Sequence, residues 1–229
     1  MALITGIALG VLSCGSSDKK SSENVVESSK KTIQSYDCLY DFESNYNLLL
    51  TKEEMNAVYP IDFDQAKEDL RSGSYGMYTY TWESDRPSFP MEISGMTMEI
   101  PDQNTMGIKM LSFMSKEIDL ESTVDVFDMG YKQLSDEELK QIDANLEKQA
   151  EEVKATGKDL MAVRAKSSWE AVPNLGSSAW YKWNEQYGGE LVVLAGRASF
   201  TIIIKISQDA EENKQLAVKL AEKALAKCN

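Results

Sequence analysis

From about position 36 onward the apolar residues recur with periods that separate helices from strands. Thr51-x-x-Glu54 is a capping box, with Leu50 and Met55 at the two positions of a hydrophobic staple. A helix is therefore expected from Thr51, its inner face made by Met55, Val58 and Tyr59 and its end set by Pro60. A second short helix is expected over Asp64–Arg71, stopped by Gly73. Tyr75–Glu83 alternates, with Tyr78, Tyr80 and Trp82 on one face, and predicts a strand. Met96–Ile100 and Met106–Met114 alternate too, the latter with Ile108 and Met110 opposite Leu111 and Phe113. The turn-like Pro101-Asp102-Gln103-Asn104 between them predicts a hairpin, and Val124–Phe127 reads as a short fourth strand.

The second half repeats this alternation of element types. Ser135-x-x-Glu138 is another capping box, and Leu139, Ile142, Leu146, Ala150 and Val153 form a narrow stripe on a helix expected from Asp136 to near Thr156. Ser178–Tyr187, Glu190–Ala195 and Ala198–Ile206 then form a meander through Gly188-Gly189 and Gly196-Arg197. Its last strand, with Ile202, Ile203 and Ile204, is expected to be buried on both faces. A final helix over Asp209–Lys227 carries Leu216, Ala217, Leu220, Ala221, Ala224 and Leu225 on one side. Helices flanking runs of strands predict an α+β class, an antiparallel β-sheet covered by helices, with room for a sub-boundary near 157–170.

The first 35 residues follow different rules. Residues 1–13 are uncharged and mostly apolar, too short for a membrane-spanning helix of ~20 residues but the length of a secretory apolar core. Cys14 follows, and the chain then turns Ser-, Lys- and Glu-rich, a composition that cannot bury enough surface to fold. Val11-Leu12-Ser13-Cys14, with Gly15 next, resembles the lipobox of bacterial lipoproteins. The resemblance implies a signal peptide over 1–13, cleavage before Cys14, and acylation of that cysteine, palmitate included. The polar composition predicts a flexible, disordered tether over 14–35 and leaves 36–229 as the α+β domain, which the resemblance implies is held to a membrane of the bacterial cell envelope by lipid.

A second resemblance lies in the domain itself. Val172-Pro173-Asn174-Leu175-Gly176-Ser177-Ser178-Ala179-Trp180, followed by the meander and an Ala/Leu-rich helix, is similar to the end of several uncharacterised envelope lipoprotein families. Cys38-Leu39 and Leu49–Glu54 resemble their opening. Those families are associated with a PsbP-like fold, an antiparallel sheet sandwiched by helices, which implies a fold and no activity.

Charge and composition narrow the function. Asp and Glu number 37 against 24 Lys and Arg, a net charge of −13. With no long basic cluster, nucleic acid is not an expected partner, and electrostatic docking on anionic lipid is disfavoured. There is no histidine, which removes the commonest general base, the Ser-His and Cys-His pairs and the commonest zinc ligand. The three cysteines form no Cys-x-x-Cys, and no P-loop or dinucleotide fingerprint occurs. The expectation is a non-enzymatic binding or structural module without a cofactor, its partner an envelope protein or a small ligand.

A few residues remain as candidates for specific chemistry. With Cys14 acylated, Cys38 and Cys228 are either a disulfide or two buried thiols. The 11 methionines include Met96, Met98 and Met110, soft thioethers suited to copper if adjacent strands bring them together. The competing reading is that they fill the core side of strands. Tyr181, Trp183 and Tyr187 are the first suspects for an aromatic binding face, against ordinary core and cross-strand packing. Asp62 and Asp64 open like a calcium loop that lacks its Gly and closing Glu, and Glu170 with Glu185 could do acid–base work only across a shared cleft.

Overall fold

A computed structural model describes residues 35–73, 75–93, 95–148 and 168–228. The signal, Cys14 and most of the tether, the distal part of the Asp136 helix and most of the 157–170 boundary lie outside them.

The chain enters through a 3-10 turn, Asp37–Phe42, and helices α1 (Tyr46–Leu49) and α2 (Lys52–Val58). The capping box is formed as expected: Thr51 Oγ1 accepts from the Glu54 amide at 3.2 Å, and Glu54 Oε2 accepts from the Thr51 amide at 2.8 Å. Strands β1 (Lys67–Arg71) and β2 (Met77–Glu83) follow, then a hairpin of β3 (Phe89–Ile93) and β4 (Met96–Ile100). The long β5 (Gln103–Phe113) leads to α3 (Leu120–Tyr131) and α4 (Asp136–Leu146). The last third holds β6 (Glu170–Ala171), β7 (Ser178–Asn184), β8 (Gly188–Ala195), β9 (Ala198–Lys205) and α5 (Ala210–Leu225).

Among the described residues, seven strands form one antiparallel sheet in the order β1-β2-β5-β9-β8-β7-β6. The α+β expectation therefore holds. One sheet face carries Tyr78, Tyr80, Met106, Ile108, Ile202, Ile204, Leu191 and Tyr181, all buried against α5 and the N-terminal helices. α5 presents the expected stripe, with Ala217, Leu220, Ala221 and Ala224 wholly buried. On the opposite face, Phe127 of α3 packs on Val192 and Leu194, with Tyr131, Trp169 and Trp180 around them. Asp128 fixes that helix by accepting hydrogen bonds from Trp180 Nε1 at 2.8 Å and from the Ser178 hydroxyl. β9 is central, and its Thr201 and Lys205 are buried on the side away from Ile202 and Ile204, so both faces are covered as expected.

Four local expectations are overturned. Residues 67–71, expected in a helix, form edge strand β1 paired with β2. Their charges protect an edge rather than coat a helix. Val124–Phe127, expected as a strand, lies inside α3, capped by Asp119 Oδ1 accepting from the Ser122 amide at 2.9 Å. Val124, Phe127 and Tyr131 then share a face at helical spacing. β4 does not pair with β5; it pairs with β3, and that hairpin is an excursion between the neighbours β2 and β5. Finally, β5 is bulged between Lys109 and Ser112, with Met110 at φ 57°. The bulge ejects Met110 and puts Leu111 and Phe113 on the same side as Ile108, toward the core.

Candidate functional site

The described residues line a half-open cavity of about 560 Å³ at one end of the main sheet. Four chain segments meet there: the loop Arg86–Ser88 running into β3, Asp102 before β5, the β7–β8 turn, and the end of β9. Lys205 stands opposite Thr105, which brings the end of β9 beside the start of β5.

Asp102 is the anion at the base of this cavity. Its Oδ2 accepts from Arg86 Nε at 2.6 Å, and its Oδ1 accepts from Lys205 Nζ at 2.5 Å and from the Gln103 amide at 2.8 Å. The three side chains are between 6% and 10% exposed, so the group is close to dry. Burial alone would push the Asp102 carboxyl up; hydrogen bonds and charge from Arg86 and Lys205 outweigh it and hold the carboxyl below the ordinary aspartate value. Asp102 is thus a fixed anion whose oxygens are occupied, poorly suited to accept a proton from a substrate.

The arginine is equally committed. Arg86 donates from Nη1 to Asn104 Oδ1 at 2.8 Å and to the Ile206 carbonyl at 2.6 Å, and from Nη2 to the Gln103 carbonyl at 2.8 Å. Lys205 also donates to the Gln186 carbonyl at 2.8 Å and lies 5.3 Å from the centre of the Phe89 ring. An ammonium has three donors, so Lys205 keeps one beyond these two hydrogen bonds. Trp183, Phe89 and Pro90 supply apolar wall, and exposed Glu185 stands at the rim. The lining as a whole carries Arg86 and Lys205 against Asp102 and Glu185, with both cations gathered on the buried Asp102.

The aromatic trio divides. Tyr181 is 3% exposed, its hydroxyl donating to the Ala210 carbonyl at 3.1 Å, so it belongs to the core and not to a binding face. Trp183, two residues on, reaches the cavity, while Tyr187 is exposed in the β7–β8 turn outside the cavity lining. Strand alternation does put Tyr181 and Trp183 on one face, but only the strand's end escapes burial.

The other candidates are dispersed. Met96 and Met98 lie exposed on β4, and Met110 projects from the bulge of β5 in the other sheet, so the expected adjacency of these strands is absent. The expectation that methionines fill the core holds for wholly buried Met106 and fails for these three. Glu170 pairs with Lys214 of α5 at 2.6 Å, away from Glu185 at the cavity rim. Asp62 accepts from the Asp64 amide at 3.1 Å in a local turn. Cys38 and Cys228 lie in the first and last 3-10 turns with their sulfurs at bonding distance and Cα atoms 5.6 Å apart. Cys14 lies outside the described residues.

Arg86, Asp102 and Lys205 escaped the sequence reading. The available signal was a lysine closing the run Ile202-Ile203-Ile204, since a lysine in so apolar a strand requires a partner. Among the described residues, no group of three or more Cys, Asp or Glu is placed to hold a metal ion, and no helix is long and apolar enough to cross a membrane. Compared with protein-family models, with curated proteins and with solved structures, the chain gives no match.

Proposed function

We propose that this chain is a bacterial envelope lipoprotein, anchored through lipid on Cys14, whose α+β domain is a non-enzymatic receptor for a small ring-bearing carboxylate. The observation that carries the binding half is the cavity at the sheet end, whose lining joins Trp183 and Phe89 to the Arg86–Asp102–Lys205 group, the lysine with a donor to spare. The apolar face of an aromatic or sugar ring would lie against Trp183 and Phe89, and its carboxylate would take the remaining Lys205 donor. The −13 net charge opposes approach of an anion at long range, but at physiological salt that field is screened within about 8 Å. The address rests on the lipobox-like Val11–Cys14 and the polar tether. The likeness to envelope families of PsbP-like fold rests on the residues of the Val172–Trp180 segment, on Cys38-Leu39 and on Leu49–Glu54 alone.

Binding is tested by titrating the protein with benzoate and, separately, glucuronate while following tryptophan fluorescence. The expected result is saturable quenching by at least one of them, absent in Trp183→Phe and weakened in Lys205→Met. Linear response to both ligands at every concentration would remove the receptor reading. The anchor is tested by intact mass: cleavage before Cys14 with added acyl mass is expected, and a membrane-bound parent chain of unprocessed, unacylated mass would overturn it.

A further inference from the structure

Hairpin β3–β4 gathers one kind of atom on one face. Its register sets Met91 opposite Met98 and Phe89 opposite Ile100, with Met96 two residues from Met98 along the same strand. Strand alternation then puts Phe89, Met91, Met96, Met98 and Ile100 together, and Pro90, Glu92, Thr97 and Glu99 on the reverse. Met96 is 63% exposed and Met98 48%, while Met91 is half-buried. None of the three packs into either apolar cluster of the domain, so gap-filling in a core does not account for them.

Directly opposed residues of an antiparallel pair have Cβ atoms about 5 Å apart, and diagonal neighbours about 7 Å. A methionine side chain is long and rotates about three bonds, so sulfurs on Met91, Met96 and Met98 can converge above the strand pair. We propose that these three thioethers form a binding site for Cu(I). Thioether sulfur is neutral and soft, which suits a monovalent soft ion and gives little to zinc, magnesium or calcium. Glu92 and Glu99 on the reverse face add a negative field without occupying the sulfur face. Met110 takes no part, since it leaves a different sheet at the β5 bulge. The inference stands apart from the carboxylate receptor: neither needs the other, and the variants that test them differ.

The test uses the full chain with Cys14→Ser, Cys38→Ser and Cys228→Ser, so that no thiolate competes with the thioethers for Cu(I) under reducing conditions. Under reducing conditions it is expected to take one Cu(I) per chain from the chromophoric chelator bicinchoninate. Uptake should be equal at about pH 7 and about pH 5, because a thioether has no proton to lose, unlike a thiol or imidazole. Met91→Leu with Met98→Leu conserves volume and should leave the thermal midpoint in place while weakening Cu(I) binding about tenfold or more. Met129→Leu, exposed on α3, should bind as the parent does. Ag(I), a redox-inert stand-in, should shift the methyl resonances of Met91, Met96 and Met98 and spare the other methionines. No stoichiometric uptake by the parent, or uptake unchanged in the folded double-leucine variant, would overturn the site.

Discussion

The Leu111 amide donates a hydrogen bond of 3.0 Å to the Tyr46 hydroxyl, joining the bulge of β5 to helix α1. The bulge exposes an amide that the strand ladder cannot satisfy, and a wholly buried tyrosine satisfies it. The neighbouring Met110 amide donates to the Gly76 carbonyl at 2.8 Å. Gly76 is itself constrained, because a Cβ there would fall 2.3 Å from Tyr46 Cε2.

Tyr46→Phe should therefore cost about 1–3 kcal/mol in urea unfolding, the range for a buried donor left without a partner. Gly76→Ala should destabilise by displacing the same ring. Because both changes break one arrangement, the double variant should lose clearly less than the sum of the two single losses. Additive losses would show that ring and bulge are independent.

Legibility in the sequence tracked the range of the interactions involved. The capping boxes at Thr51 and Ser135 and the stripe of the last helix are local patterns, readable within about four residues. The strands of the β7–β9 meander were legible because turns and alternation lie side by side. Edge strand β1 was not, since only its pairing with β2 tells Lys67–Arg71 from a solvated helix face. The β5 bulge depends on Tyr46, 65 residues away, and the ion-pair base of the cavity joins Asp102 to Lys205 across 103 residues. Trp183 was found by its neighbourhood on the chain, while Tyr181 shared every local feature with it and was claimed by the core. Residue order shows that aromatics alternate; it does not show where a strand leaves the interior.

Removing the anion between Arg86 and Lys205 should be worse than removing either cation. Asp102→Asn leaves two buried cations uncompensated and should cost about 3–5 kcal/mol. Lys205→Met leaves a balanced Arg86–Asp102 pair and should cost markedly less. Chemical denaturation of the two variants checks the order, and equal losses would contradict the charge count.

The same aspartate makes a pH prediction. Its carboxyl titrates lower in the folded chain than in the unfolded chain, so its contribution is present in full above the unfolded value of about 3.9. It is lost as pH falls from there through the lower folded value. Stability measured against pH should decline over that acid window in the parent, and part of the decline should vanish in Asp102→Asn. Parallel profiles would mean that other carboxyls carry the acid response.

Glu138 gives a local test of the second capping box. Its Oε2 accepts from the Ser135 amide at 2.8 Å and the Ser135 hydroxyl at 2.7 Å, and Lys132 lies 3.3 Å from Oε1. These hydrogen bonds, the amide first, bring its pKa down to about 2. Side-chain carbon shifts followed against pH should show that low titration. Ser135→Ala removes the hydroxyl and keeps the amide, so the pKa should rise only part of the way to the ordinary value of about 4.3. Full recovery would assign the whole effect to the hydroxyl.

Cys38 and Cys228 test whether the ends of the domain are covalently tied. A bond between them would close a loop of 190 residues, and the chain-entropy relation assigns such a loop about 5 kcal/mol of stabilisation. Both sulfurs sit where the two 3-10 turns meet, and Lys227 next door pairs with Glu54 at 2.7 Å, so α2 and the C-terminus are held together even without a bond. The noncovalent contacts should let the doubly substituted Cys38→Ser, Cys228→Ser chain fold, with a lower urea midpoint than the parent. Denatured, unreduced protein carrying Cys14→Ser should show no reactive thiol, and reduction should release two. Two thiols counted before reduction would leave the pair as packed cysteines, and the midpoint of the double-serine variant should then match the parent closely.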